Sequence, residues 1–273
     1  MDAQTLRAQA FKALHERDGA FVIPNPWDAG SAKMLASLGF EALATTSAGY
    51  AFSRARPDGG MSLEDTLENV RAIVGATDLP VAVDLENGFA DNPADCAQSI
   101  LRAAQAGAVG GSIEDATGRE GAPIYCFDHA VARIEAAVAA ARSLPFHFTL
   151  TARAENFLHG VHDLDDTIRR LQAFAEAGAD VLYAPALRSA EEVLAVVRAV
   201  APKPVNVLMS GGLKLTVEQL SEMGVKRISV GSALALAAYG EFYRAAEEIQ
   251  KSGTFGFTSR SMPYQQANSL FKG

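Results

Sequence analysis

Five acidic side chains and one arginine fall at comparable places in this chain, each just after a short apolar run. Asp84 and Glu86 follow Val81-Ala82-Val83, Glu114 and Asp115 follow Ile113, and Arg153 and Glu155 follow Leu150-Thr151-Ala152. In an extended strand alternate side chains share a face. Ala82, Asp84 and Glu86 therefore line up opposite the bulkier Val81, Val83 and Leu85. Gly110, Ser112 and Glu114 share a face of the next run, and Thr149, Thr151, Arg153 and Glu155 share one in the run after it. If the bulky set meets helices, four carboxylates and one guanidinium converge on the other side. Carboxylates that close raise one another's pKa by like-charge repulsion. Arg153 relieves one of them, and a hard cation with oxygen ligands suits the rest. Mg2+, held through one or two carboxylates plus waters and substrate, fits best, with Mn2+ able to substitute. An ion-pair network that only ties loops together is the alternative for any one of these groups; matched positions on three successive runs favour a site.

The elements that must hold them are legible as a repeat. Strands are expected at 20–24, 42–46, 80–84, 109–113, 146–152, 180–184, 204–209 and 227–230, with amphipathic helices between them, such as 63–76, 95–106, 131–141 and 167–177. Gly107 and Gly178 stand where a helix C-terminus tolerates positive φ. Strand alternating with helix eight times implies parallel pairing and an α/β fold, a (β/α)8 TIM barrel, with an open doubly wound sheet as the alternative. One domain over 1–273 is expected, with an extra helix at 5–17. A tail at 254–273 carries Phe255, Phe257, Tyr264 and Phe271 in a non-periodic setting and is expected to pack on the barrel or on a neighbouring subunit.

Composition narrows the partners. The formal charge of -8 with no basic block argues against nucleic acid, although a bound cation would still let a small anion approach. Two cysteines, Cys96 and Cys126, give no disulfide framework, no stretch approaches a membrane span and no signal peptide is recognisable, so a cytoplasmic protein is expected.

In such a barrel the C-terminal strand ends carry the chemistry. Besides the acidic ends, these read Asn25-Pro26-Trp27-Asp28, Thr46-Ser47-Ala48-Gly49-Tyr50, Tyr183-Ala184-Pro185, Ser210-Gly211-Gly212 and Gly231-Ser232. The last two suit phosphate or simply close approach of a loop. Asn206 sits in an apolar run and is expected to point inward, to substrate or to a core hydrogen bond. His159 and His162 lack a third metal ligand and read as loop residues, with proton transfer as the alternative; Tyr50 and Tyr125 are packing or acid–base groups.

At these residues the chain resembles the isocitrate lyase/phosphoenolpyruvate mutase superfamily. The likeness is carried by Asn25-Pro26-Trp27-Asp28, the segment from Thr46 to Gly49, Pro57-Asp58, Val83 to Gly88, Ile113-Glu114-Asp115 and Thr151 to Glu155. The resemblance implies Asp84 as the direct Mg2+ ligand, with Glu86 and Glu114 holding the metal's waters and Asp58 nearby. It implies Arg153 on a substrate carboxylate or oxo oxygen, and Ser47, Ala48 and Gly49 at the other end of the oxo-acid; apart from the resemblance, Trp27, Tyr50 and Asn206 are expected as further substrate-binding residues. It also implies action on 2-oxo-acids or their precursors through a stabilised enolate, and a dimer or tetramer with an exchanged C-terminal helix.

Two departures bear on the reaction. The lyases' Lys-x-Cys-Gly gating motif is absent from 115–126, where Cys126 instead precedes an expected helix start and reads as a packed thiol. The mutases' gating residues are not recognisable there either. The expectation is a lyase that cleaves a C–C bond in, or decarboxylates, a small 2-oxo-acid or related hydroxy-acid, with Glu155 or a loop residue as the base where one is needed. The alternatives are a P–C mutase or hydrolase, and a silent oxo-acid- and Mg2+-binding homologue.

Overall fold

The computed structural model describes residues 2–272. Eight parallel strands form one sheet: β1 (Phe21–Ile23), β2 (Leu43–Ala44), β3 (Val81–Asp84), β4 (Gly110–Glu114), β5 (Thr149–Arg153), β6 (Val181–Tyr183), β7 (Val205–Leu208) and β8 (Arg227–Ser229). Between and after them run α2 (Ala29–Ser37), α3 (Ser47–Ser53), α4 (Leu63–Gly75), α5 (Pro93–Gln105), α6 (Phe127–Arg142), α7 (Leu164–Glu176), α8 (Ala190–Val200), α9 (Val217–Glu222) and α10 (Ala233–Ser252); α1 (Ala3–Glu16) precedes β1 and α11 (Tyr264–Leu270) ends the chain. The strand order is β1-β8-β7-β6-β5-β4-β3-β2, so the sheet curls until its edges β1 and β2 meet. The Ala44 amide bonds the Pro24 carbonyl at 3.1 Å across that seam. Asn25 reinforces the closure, its Nδ2 donating to the Thr45 carbonyl and its Oδ1 accepting from the Val230 and Gly231 amides. This is a (β/α)8 barrel.

Alternation sorts the strand residues as expected. Val83, Ile113, Leu150, Ala152, Leu182, Val205, Val207 and Ile228 face outward into one apolar layer shared with the helices. The interior is closed at its N-terminal end by α1, whose Phe11 packs with Phe21, Ile23, Ala82 and Val109. Gly110 makes room for that plug, because a Cβ there would stand 2.8 Å from the Phe11 ring and 2.9 Å from the Thr149 carbonyl. With its floor filled by α1, the barrel presents its C-terminal strand ends as the place for a site.

The tail is more regular than its sequence suggests. A 3-10 turn, Gly256–Arg260, is followed by α11, which packs on α2 and brings the Phe271 ring over Gly30. Phe242, Tyr243, Phe255 and Tyr264 are exposed. No helix among the described residues is long and apolar enough to cross a membrane.

Candidate active site

Arg153, the last residue of β5, organises the barrel mouth. Its Nη1 reaches Asp84 Oδ1 at 3.0 Å, its Nη2 reaches Glu114 Oε2 at 3.1 Å, and its Nε reaches Glu155 Oε1 at 2.7 Å. The guanidinium lies over the Tyr183 ring, 5.1 Å from its centroid. Burial opposes the Arg153 charge, but Glu155, Glu114 and Asp84 overcome it and hold the pKa well above the ordinary arginine value. Burial raises Glu114 well above the usual carboxylate range, and Arg153 offsets only part of that.

Asp84 is held from several sides. Its amide donates to Thr45 Oγ1, while its Oδ2 accepts from the Ser47 hydroxyl at 2.8 Å and the Ser47 amide at 3.2 Å. The segment from Ser47, expected as an open loop, is the first turn of α3, capped by Thr46 Oγ1 on the Gly49 amide. A short polar side chain before a small-residue stretch forms an N-cap as readily as a loop.

Glu86 reaches the site by a different route from the alternation argued above. β3 ends at Asp84, and Glu86 adopts φ 49, followed by Gly88 at 75 and Phe89 at 57. A Cβ on Gly88 would meet Cys96 Sγ at 2.6 Å, so only glycine allows this turn. Arg133 of α6 fixes the turn from beneath. It is buried against the Tyr125 ring and donates to the carbonyls of Asn87, Ala90 and Glu114, binding the β3 and β4 ends together.

Asp115 serves the scaffold. Its Oδ1 accepts from the Glu155 amide and its Oδ2 from Arg170, which also pairs with Asp166; burial nevertheless pushes Asp115 up to about 6. Asp28 likewise caps α2 in a reciprocal pair with Ser31.

Ser47, Ala48, Asp58, Asp84, Arg153 and Asn206, among others, line a cavity of about 150 Å3, which Glu155 does not border. Glu86 and Glu114 face an adjoining outer basin, which Asp58 also borders. Gly49 and Tyr50 lie on α3, and Trp27 lies against Tyr239, none of them lining the cavity. His159 and His162 are exposed. Ser210, Gly211 and Gly212 are exposed, whereas Gly231 and Ser232 line the cavity. Cys126, expected as a packed thiol, is instead exposed at the start of α6, and it lines neither space. The loop after β4 folds back as a hairpin, with Ala116 bridging Ile124 and both Arg119 and the Tyr125 hydroxyl reaching Asp91.

Tyr183 and Arg227 line the cavity with roles that the sequence reading did not assign. Tyr183 lies under Arg153 and is pushed up to about 12 by burial, while Arg227 and Asn206 are bonded to each other inside the barrel. The signal for Arg227 was present: with Ser229 it forms a polar alternation against Ile228 in an apolar strand.

The donor set fits a divalent cation. Burial, with repulsion from Asp84 and Asp58, pushes Glu86 up to about 7, and its Oε1 is buried without a partner. Asp58, on an exposed loop, is raised by the burial of its carboxyl and by Asp84. Among the described residues no three His, Cys, Asp or Glu side chains already surround a common point.

A family model described as phosphoenolpyruvate phosphomutase matches residues 11–250. The chain belongs to the isocitrate lyase/phosphoenolpyruvate mutase superfamily. Among its superfamily relatives, the 2-methylisocitrate lyase of Escherichia coli strain K12 is 31% identical over 256 residues, covering 88% of this chain and 82% of the relative. The oxaloacetate decarboxylase of Paraburkholderia xenovorans strain LB400 is 27% identical, covering 98% and 89%. A solved structure from Burkholderia cenocepacia J2315, described no further than a lyase/mutase, is 58% identical with a TM-score of 0.97 and covers 100% of this chain and 98% of its own. Named relatives of the chain in this superfamily are thus carbon–carbon lyases, and its family model is that of a mutase.

Proposed function

We propose that the chain is a Mg2+-dependent lyase that cleaves a C–C bond in a small 2-oxo-acid or related hydroxy-acid, and that decarboxylation of an oxaloacetate-like acid suits its residues best. The observation that carries this reading is the Arg153 guanidinium held among Asp84, Glu114 and Glu155 at the wall of a cavity of about 150 Å3. A cation fixed by three carboxylates is preorganised to meet charge that develops on a substrate oxygen, an effect worth several kcal/mol in a water-poor site.

Asp84, with Glu86 and Glu114, would hold Mg2+, or Mn2+ in its place, and the bound ion supplies Lewis-acid charge toward the oxo-acid. Arg153 takes the carboxylate or oxo oxygen of the substrate. Ser47 and Ala48 border its other end. Tyr183 keeps its proton under Arg153 and so leaves that cation undiminished.

Decarboxylation asks least of this chain, since CO2 leaves without a proton being delivered in the bond-breaking step and Cys126 lies away from the cavity. A reverse aldol cleavage needs a base, for which Glu155, whose Oε2 is buried without a partner but which lines neither space at the mouth, or a loop residue would have to serve. Exposed Phe242, Tyr243 and Tyr264 support a homo-oligomer built through the C-terminal helices, as a dimer or tetramer.

The test is a coupled screen for pyruvate release from oxaloacetate, methylisocitrate and dimethylmalate, and for pyruvate or phosphoenolpyruvate formed from phosphonopyruvate, with and without Mg2+. Mg2+-dependent pyruvate from a carbon acid supports the reading. Turnover of phosphonopyruvate alone replaces it with P–C chemistry, which the family model favours, and no turnover with Mg2+-dependent oxalate binding replaces it with a silent binder.

A further inference from the structure

Arg227 is a buried cation that the chemistry above does not use. It opens β8, is 6% exposed, and lines the same cavity as Ser47, Asp84 and Arg153. Its Nε donates to Asn206 Oδ1 at 2.9 Å and its Nη2 to Thr151 Oγ1 at 2.9 Å, both neutral acceptors. Asn206 Nδ2 is committed in turn to Ser229 Oγ, so the amide cannot rotate away. Among the described residues Nη1 has no hydrogen-bond partner and no carboxylate pairs with Arg227, since Asp84, Glu114 and Glu155 are all engaged by Arg153.

The other two buried arginines differ. Arg170 meets Asp115 and Asp166, and Arg133 is filled by backbone carbonyls under Tyr125. Burial, reinforced by the Arg153 charge, pulls Arg227 down to about 10, which still leaves it charged at neutral pH. A glutamine or lysine could satisfy part of this network; burying an unpaired guanidinium is the expensive choice unless an anion meets it.

We propose that Arg227, backed by Asn206 and Thr151, is an anion subsite at the inner end of the cavity that receives a second carboxylate of the substrate, so that the substrate class is a small dianionic acid. This rests on the reading above for the end of the substrate that faces Asp84 and Arg153. A planar fork with a free nitrogen is suited to a carboxylate, and the cavity size restricts the occupant to a small molecule.

The experiment uses two unreactive probes, succinate and its monoacid counterpart butyrate, titrated calorimetrically with Mg2+ present throughout. Wild type, Arg227→Gln and Arg227→Lys are compared, and the melting temperature of each ligand-free protein is recorded. Wild type is expected to bind succinate about tenfold or more tighter than butyrate, equivalent to about 1.4 kcal/mol. Arg227→Gln should lose that preference while melting no lower than wild type, and Arg227→Lys should keep part of it. Equal binding of the two acids by wild type, or a preference retained in Arg227→Gln, overturns the proposal. So does an Arg227→Gln protein that melts lower or fails to fold, because the cation would then be structural. Because binding is read without turnover, a chain inactive on every oxo-acid but showing the Arg227-dependent preference would overturn only the lyase reading.

Discussion

Arg153 Nη1 donates to Asp84 Oδ1 at 3.0 Å, joining β5 to β3 across the intervening β4. The same guanidinium takes Glu114 from β4 itself and Glu155 from its own loop. The contact places the residue implied as the metal ligand beside the residue implied as the substrate cation, inside one cavity.

Arg153→Lys keeps the charge but loses the fork that serves three carboxylates at once. Turnover should fall about 100-fold or more, near 3 kcal/mol of barrier, with the fold retained. Arg153→Met should also lose about 3–5 kcal/mol of stability, because buried Glu155 and partly buried Asp84 and Glu114 are left without a cation. Burial already holds Glu114 above the usual carboxylate range and losing Arg153 removes what offsets it, so the deficit should shrink as pH falls from 8 to 5. Urea unfolding at the two pH values measures this, and a deficit independent of pH would contradict it.

Cys126 is exposed at the N-terminus of α6, outside both spaces at the mouth. Cys126→Ser should change turnover by less than about tenfold, or roughly 1.4 kcal/mol of barrier. Steady-state kinetics on whichever acid proves active decides it, and a folded but inactive variant would show that this thiol enters the reaction.

His15, on the helix that plugs the barrel, offers a pH signature of the fold. It lies edge-on between Phe11 and Phe21, its Nδ1 bonds the Phe11 carbonyl at 2.8 Å, and burial, aided by the Arg227 charge, lowers it from 6.5 to about 3. Between those values the unfolded chain takes up a proton that the folded one refuses. The stability contributed by the neutral ring is therefore present above about pH 6.5 and is lost as pH falls toward about 3. His15→Gln should make the pH dependence of unfolding free energy shallower by about 1.4 kcal/mol per pH unit between roughly pH 6 and 4. Urea unfolding across that range checks the slope, and identical slopes would show that His15 titrates normally in the folded protein.

The barrel was legible because its physics is periodic. Each of the eight expected strands overlaps the observed one, since alternating apolar residues must face helices wherever the strand falls. Arg153, Asp84 and Glu114 converge for the same reason. Glu86 converges for another, because the chain leaves the strand at φ 49 and periodicity ends where extension does. The N-cap made by Thr46 and the seven-residue α11 are too short to generate a pattern. Arg133 reads as an ordinary helix residue, and only the packing of α6 under the β3 and β4 ends shows that it holds the site's loops. Arg227 was visible as a charge in an apolar strand, but the lack of a carboxylate beside it is a property of the folded interior.

The most direct test of the account is Mg2+-dependent pyruvate release from oxaloacetate by wild type and by Asp84→Asn, with folding of the variant verified by circular dichroism. The substitution keeps the size of the side chain and its place beside Ser47 and Arg153 while removing the charge. The account predicts release by wild type that requires the metal and falls more than about 1000-fold, near 4 kcal/mol of barrier, in the variant. A folded Asp84→Asn protein that releases pyruvate at the wild-type rate would contradict it.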